Sequence, residues 1–301
     1  MNKILVIGGT NIDYLAKSIS PLVKHDSNIG DINISSGGVG RNIAINLALL
    51  RNKVSFITGL SNDVYSKIAK RELKKYGIKV IVPKTDYGIG SYVAINDNLG
   101  EMNLAICDNK FCDNLNYSDI EKFSRVIDKC DDIVIDTNLN EDLIKDIIKN
   151  NPNKKYYVDG VSTSKVIRLK NVLSSIYLFK SNLIEAQKLM DTNISGEELV
   201  LSILNKGAKN VVITNSSKEI YFGSNNKVYS TPATKINPSE IINVNGAGDA
   251  FFAGLLTSII SNNELNKSIE LAKKMSYYTL KSSSSFNENI FKLVGRKVNL
   301  L

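Results

Sequence analysis

The chain has 301 residues, 43% of them apolar, and a formal net charge of +8. That length suits one large α/β domain, or a domain with a small appendage. The charge comes from scattered lysines, with no long block of like charge and no Trp, a pattern that argues against a nucleic-acid partner and suits an anionic small substrate.

No run approaches the ~20 apolar residues of a membrane span, so no membrane partner is expected. The apolar run near Met1 is too short for a signal peptide. Cys107, Cys112 and Cys130 form no C-x-x-C and no metal pattern. The expected compartment is reducing, with the cytoplasm as the default. His25 is the single histidine and lies in a polar segment. Acid–base chemistry must then come from a carboxylate, a lysine or a tyrosine.

In chain order, Lys3 to Ile7 reads as a buried strand ending at Gly8-Gly9. The dinucleotide fingerprint G-x-G-x-x-G is absent. Asn11 and Asp13 stand at alternate positions of an extended segment and so face the same side, where they suit a sugar diol or a strand-end cap. Asp31 to Ser36 alternates as a half-exposed strand should. Ser36-Gly37-Gly38-Val39-Gly40-Arg41-Asn42 then opens a helix with an apolar stripe through Leu50. Asn42 falls in its first turns, and the glycines let a ligand approach the backbone. Val54–Thr58 and Ile78–Val82 read as strands around a helix from Val64 to Tyr76. Ser91–Ile95 and Met102–Ile106 flank Asn96-Asp-Asn-Leu-Gly100, a hairpin signature. With the segment from Ile12 to Ile34 they form a small separate sheet, read as a lid or a dimer clasp.

From Tyr117 strands and helices alternate. The pattern predicts helices over Ile120–Lys129, Glu141–Lys149, Leu183–Met190 and Leu199–Leu204. It predicts strands over Ile133–Asp136, Tyr156–Asp159, Ile176–Lys180 and Val211–Thr214. Such repetition implies a mostly parallel sheet covered on both faces, with its site beyond the carboxyl ends of the strands. Asn182 and Glu185 lie just past one such end. Ser282–Ser285 reads as a loop.

Asn243-Val-Asn-Gly-Ala-Gly-Asp249 runs straight into an apolar helix, Ala250 to Ile260. Asn245-Gly246 is also a hairpin signal, and Gly-Ala-Gly can be plain helix punctuation. As a helix entry, the stretch offers free N–H groups and the positive end of a dipole to an anion. Asp249 stands beside them as a proton acceptor. That pairing suits phosphoryl transfer onto a hydroxyl.

Four of these stretches, in order, resemble the ribokinase-like (PfkB) family of carbohydrate and nucleoside kinases. They are Gly8-Gly-Thr-Asn-Ile-Asp13, Gly37-Gly-Val-Gly-Arg-Asn42-Ile-Ala, Asn182-Leu-Ile-Glu185, and Gly246-Ala-Gly-Asp249-Ala-Phe-Phe-Ala-Gly254. The resemblance spans most of the chain. It implies a three-layer α/β/α ribokinase-like sandwich over 1–301, with a mostly parallel sheet and a β lid from roughly 12–36 and 88–108.

It also implies roles. Asp249 would be the base, and the amides of Gly246, Ala247 and Gly248 would hold the transferring phosphoryl group. Asn182 and Glu185 would position Mg2+ through water, with Thr214 on the ATP side. Asn11, Asp13, Gly37, Gly38 and Asn42 would bind the ribosyl acceptor. Leu104-Ala-Ile-Cys-Asp108, Val161-Ser-Thr-Ser-Lys165 and the Gly37–Ala44 stretch are most similar to pseudouridine kinases, which adds Asp108 and Lys165 to the acceptor side. The implied reaction is ATP-dependent phosphorylation of the 5′-hydroxyl of pseudouridine. Another sugar or nucleoside kinase, or a non-catalytic relative, remains open, as does a homodimer through the lid.

Two departures stand out. Asn243 replaces an aspartate common in relatives and lacks the charge that often supports a monovalent cation, which leaves K+ activation open. Thr214-Asn-Ser-Ser-Lys-Glu219 lacks the usual glycines, and Glu219 would repel phosphates if it faced them.

Overall fold

The computed structural model describes residues 3–295. Its larger sheet runs in the order β13-β12-β11-β10-β9-β8-β1-β4-β5. These strands are β1 (Lys3–Ile7), β4 (Lys53–Ile57), β5 (Lys79–Ile81), β8 (Asp132–Asp136), β9 (Lys155–Asp159), β10 (Ile176–Asn182), β11 (Asn210–Thr214), β12 (Glu219–Ser224) and β13 (Lys227–Pro232). From β5 to β11 all pairs are parallel, and only β12 and β13 turn antiparallel. The smaller sheet orders β3 (Gly30–Gly37), β2 (Asn11–Ser18), β6 (Gly90–Asn96) and β7 (Met102–Asp108).

Strand residues point alternately to the two faces, and each face has its own core. Leu5, Ile7, Ile133, Ile135 and Phe179 pack on one side with helices Glu141–Asn150 and Gly196–Asn205. Ile4, Val6, Val134 and Leu178 pack on the other with helices Val39–Leu49 and Ala247–Ile260. This is the expected α/β/α sandwich. Strand order reverses around β1, so the crevice for a ligand lies at the carboxyl ends of β1 and β8. Among the described residues no helix is long and apolar enough to cross a membrane.

Several local readings change. The helix expected over Ile120–Lys129 is instead three short turns, Tyr117–Ile120, Glu121–Phe123 and Ser124–Ile127. A capping box between Asn116 and Asp119 starts the segment one turn early. β3 was expected to be half-exposed, but it is exposed from Gly30 through Ser35, because it is an edge strand with Ile32 and Ile34 facing outward. The β12–β13 hairpin and helix Leu265–Leu280 were not anticipated.

Helices Ala247–Ile260 and Leu265–Leu280 cross at Gly254. A Cβ there would lie 2.6 Å from Met275 Cγ and 3.2 Å from the Ala272 Cα. Gly254→Ala gains up to about 1 kcal/mol of helix propensity but overpacks the crossing, at about 1–3 kcal/mol. Net destabilisation is expected, read as a lower urea midpoint. An unchanged or higher midpoint would show that the two helices separate freely.

Candidate active site

Gly8-Gly9 follows β1, and Asp136 ends β8. The fully buried Asp136 carboxylate accepts hydrogen bonds from the Gly9 and Gly40 amides, each at 3.1 Å, and from the Asn138 amide at 2.9 Å. It also accepts from Asn138 Nδ2 at 2.6 Å. Burial raises its pKa against these bonds. A Cβ on Gly8 would sit 2.5 Å from the Asp136 Cβ, so glycine is required for the contact. Gly38 has φ of 102°, and a Cβ there would lie 2.6 Å from the Gly9 carbonyl oxygen. The two glycine-rich turns are thus pressed together backbone to backbone, and helix Val39–Leu49 starts from their junction.

Asn42, in the first turn of that helix, reaches the other signature. Its Nδ2 donates to Asp249 Oδ2 at 2.8 Å. Its Oδ1 accepts from Arg41 Nη1 and from Ser285 Oγ, both at 2.8 Å. Those two donors fix the amide so that its NH2 faces Asp249. Arg41 is buried, pairs with Glu72 at 2.6 Å and lies over the Phe286 ring.

Gly246 caps helix Ala247–Ile260 in the left-handed conformation, with φ of 79°. The Ala250 amide donates to the Gly246 carbonyl at 2.8 Å. The amides of Ala247, Gly248 and Asp249 come before that first intrahelical bond and are free for an anion. Asp249 is half-buried in the first turn. Burial, with the Asp159 and Asp136 charges, raises it to about 7, while the Asn42 bond and Lys180 oppose the rise.

Lys180 is a functional candidate that the sequence reading missed. It lies in β10 and forms a buried ion pair with Asp159 at 2.8 Å. The Asp159, Glu185 and Asp249 carboxylates outweigh its burial and hold its pKa up. Its Nζ lies 3.3 Å from a Cβ built on Gly248. A permanent positive charge therefore stands at the amide cradle. Lysine inside an otherwise apolar strand was the available signal, since a buried cation needs a partner.

Asn182 and Glu185 form a reciprocal capping box. Glu185 accepts from the Asn182 amide at 2.9 Å and from its Nδ2 at 2.8 Å, and Asn182 Oδ1 accepts from the Glu185 amide at 2.8 Å. Glu185 is buried, and its pKa is raised by burial and by Asp159. The N-x-x-E spacing thus has a structural role at the start of helix Leu183–Met190.

Asn11 and Asp13 share one face of β2, and Asp13 packs directly on Gly37, leaving no room for a Cβ there. Burial raises Asp13 to about 6, against the pull of Arg41. Lys165 Nζ donates to Asn138 Oδ1, which places it beside Asp136. Asp108, at the end of β7, is half-exposed and pairs with Lys110 at 2.9 Å. Thr214, at the end of β11, lines a cavity of about 410 Å³ with Ser216, Ala247, Gly248 and Tyr277. Glu219 does not border it. Asn243 holds the turn before Gly246, accepting from the Asn245 amide at 2.9 Å.

The pfkB family carbohydrate kinase profile matches residues 1–289. The chain is 31% identical to the pseudouridine kinase of Escherichia coli (strain K12), over 95% of this chain and 93% of that protein. It is 29% identical to the guanosine-inosine kinase of Exiguobacterium acetylicum, over 95% and 96%. The ribokinase structure from Thermotoga maritima superposes with a TM-score of 0.84 at 17% identity, covering 99% of this chain and all of that one, and shares the fold. The chain therefore belongs to the pfkB family of carbohydrate kinases and is a phosphotransferase that acts on an alcohol group.

Proposed function

We propose that this protein transfers the γ-phosphoryl group of ATP to the 5′-hydroxyl of pseudouridine, giving pseudouridine 5′-phosphate and ADP. The observation that carries the reading is the Asn42–Asp249 bond. It joins the acceptor-side turn to the amide cradle in one crevice. Similarity to a pseudouridine kinase over nearly the whole chain supports the choice of acceptor. In this mechanism Asn11, Asp13 and the backbone at Gly37 and Gly38 hold the ribosyl hydroxyls, and Lys165 and Asp108 reach toward the base. Asp249 takes the proton of the 5′-hydroxyl. The oxygen then attacks the γ-phosphorus as the bond to ADP breaks. The Gly246–Gly248 turn and Lys180 offset the charge on the phosphoryl oxygens. The cavity beside Thr214 takes the rest of ATP.

No group of three or more His, Cys, Asp or Glu that could hold a metal occurs among the described residues. That donor set fits Mg2+ only as an ion held by nucleotide phosphates and water. Glu185 and Asn182 would hold it through its waters, and it would supply further charge neutralisation. We assign the protein to the cytoplasm, in keeping with its free cysteines.

Similarity to the guanosine-inosine kinase makes a purine nucleoside the second reading. Turnover of ATP with pseudouridine, uridine, guanosine, inosine and ribose separates the two. Pseudouridine should give the highest kcat/KM. A purine nucleoside ahead of it by about ten-fold, some 1.4 kcal/mol of discrimination, overturns the acceptor.

Asp249→Asn tests the base. Turnover should fall by about 10²-fold or more while both substrates still bind. In the wild type kcat/KM should fall as pH drops through about 7, where Asp249 becomes protonated. Between the ordinary carboxylate pKa and about 7 the folded chain keeps a proton that the unfolded chain has released. Asp249 therefore lowers stability as pH rises through that window. The variant should melt no lower than the wild type at pH 7.5. Near-normal turnover in the folded variant would remove Asp249 as the base.

Dimerisation through the small sheet belongs to the same proposal. Its register sets Tyr14, Ile34, Val93 and Ile106 in one row and Ala16, Ile32, Ile95 and Leu104 in the next. This face is opposite to that of Asn11 and Asp13, and Ile32, Ile34, Leu104 and Ile106 are 53–68% exposed. A second copy of the same face would cover it. Ile106→Glu should convert a dimer to a monomer in sedimentation velocity. A monomeric wild type at micromolar concentration would refute the interface.

A further inference from the structure

The excess positive charge is not at the reaction crevice, where Asp159, Glu185 and Asp249 gather around Lys180. Part of it collects at the opposite edge of the sheet. There, six cations border a cavity of about 860 Å³: Lys3, Arg51, Lys53, Lys79, Arg125 and Lys129. Val54 and Val126 supply apolar lining, and no Asp or Glu borders it. Among the described residues none of the six forms an ion pair within 4.0 Å. Tyr76 also borders the cavity, but its hydroxyl is bonded to Glu288, whose charge Lys75 meets at 2.8 Å.

Lys3 and Lys53 are direct partners on adjacent strands. Like charges placed side by side lower stability. Helix ends do not answer the charge. Helices Val39–Leu49 and Val64–Lys75 finish at this edge, and each carboxyl-end dipole amounts to about half a negative charge. Roughly five of the six charges stay uncompensated on that count.

We propose that this cavity binds a polyphosphate-bearing anion, remote from the reaction crevice and independent of which alcohol the enzyme phosphorylates. A single phosphate monoester brings only about two negative charges, too few for the ring of cations. Two or more linked phosphates match it. The cavity also falls within the roughly 300–1,000 Å³ of small-molecule sites, which favours a compact ligand over an extended strand. Lys3, Lys53 and Lys79 enter from neighbouring strands and Arg125 from the short helix Ser124–Ile127.

The test is calorimetric titration of the full chain at low salt, in which variants confined to the edge cavity separate binding there from binding at the kinase site. Inorganic tripolyphosphate and ADP are the two probes. The wild type should bind tripolyphosphate, and Lys53→Glu/Arg125→Glu should weaken that binding at least ten-fold while kcat and the KM for ATP stay unchanged. The milder Lys53→Gln should weaken it less, which keeps the test valid if the double variant folds poorly. ADP binding that the variants weaken as well points to a nucleotide as the source of the phosphates, and weakening of tripolyphosphate binding alone points to a bare phosphate chain. Equal binding by wild type and variants, or no binding of tripolyphosphate by the wild type, overturns the proposal. So does tighter binding of a 20-residue single-stranded oligonucleotide, which would make the edge a nucleic-acid surface.

Discussion

The Asp136 carboxylate draws three separate pieces of chain onto one pair of oxygens: the turn after β1, the start of helix Val39–Leu49, and its own strand end at Asn138. A buried carboxylate is costly unless its lone pairs are filled by donors. Here two of the donors are backbone amides at glycines, Gly9 and Gly40, where the chain can come close enough to give them. The arrangement therefore fixes backbone, and the side chains that follow inherit their positions. Asn11 and Asp13 leave the first turn along β2, and Asn42 leaves the second along its helix. Asn138 continues the effect outward by holding Lys165, and its carbonyl accepts from Arg168 at 2.8 Å.

A second buried charge organises the opposite wall of the crevice. Arg41 is neutralised by Glu72 and spends another donor on the Asn42 amide. Ser285 adds its hydroxyl to the same oxygen. The orientation of one amide group thus depends on two partners from distant parts of the chain. That orientation matters because the reversed amide would turn its oxygen toward Asp249 and repel the ionised base.

Sequence reasoning found what is local. Gly-Ala-Gly-Asp is a helix entry because small residues permit the left-handed cap at Gly246, and the carboxylate follows within one turn. The short apolar runs of β1 and β8 were legible because each face of those strands is buried by a different layer. What it missed is long-range. Asp136 looked like any acidic residue at a strand end, and nothing near it in the chain reveals that its donors lie 96 and 127 residues away. Ser285 sat in a run of serines that reads as solvent-exposed loop, yet its backbone closes on Gly246, where a Cβ would lie 2.5 Å from the Ser285 carbonyl oxygen. The spacing of Asn182 and Glu185 was read as ligand chemistry alone, although S/T/D/N followed by Glu three residues on is also a helix-start signal. The β12–β13 hairpin was readable from the Asn225-Asn226 turn, where both residues have positive φ.

The Asn42–Asp249 and Arg41–Ser285 bonds join residues 207 and 244 positions apart. This has a consequence for biosynthesis. A ribosome adding about 5–20 residues per second delivers Asn42 many seconds before Asp249 and Ser285 exist. During that interval β1, an interior strand of the finished sheet, gains β4 and then β8 as neighbours, while the helix bearing Asn42 has no Ala247–Ile260 to cover it. The apolar stripe of that helix must be sheltered or tolerated until the last quarter of the chain arrives. The reaction crevice is thus among the last features to form, and a truncated chain that ends before Ser285 would keep most of the sheet and lack the oriented amide that faces Asp249.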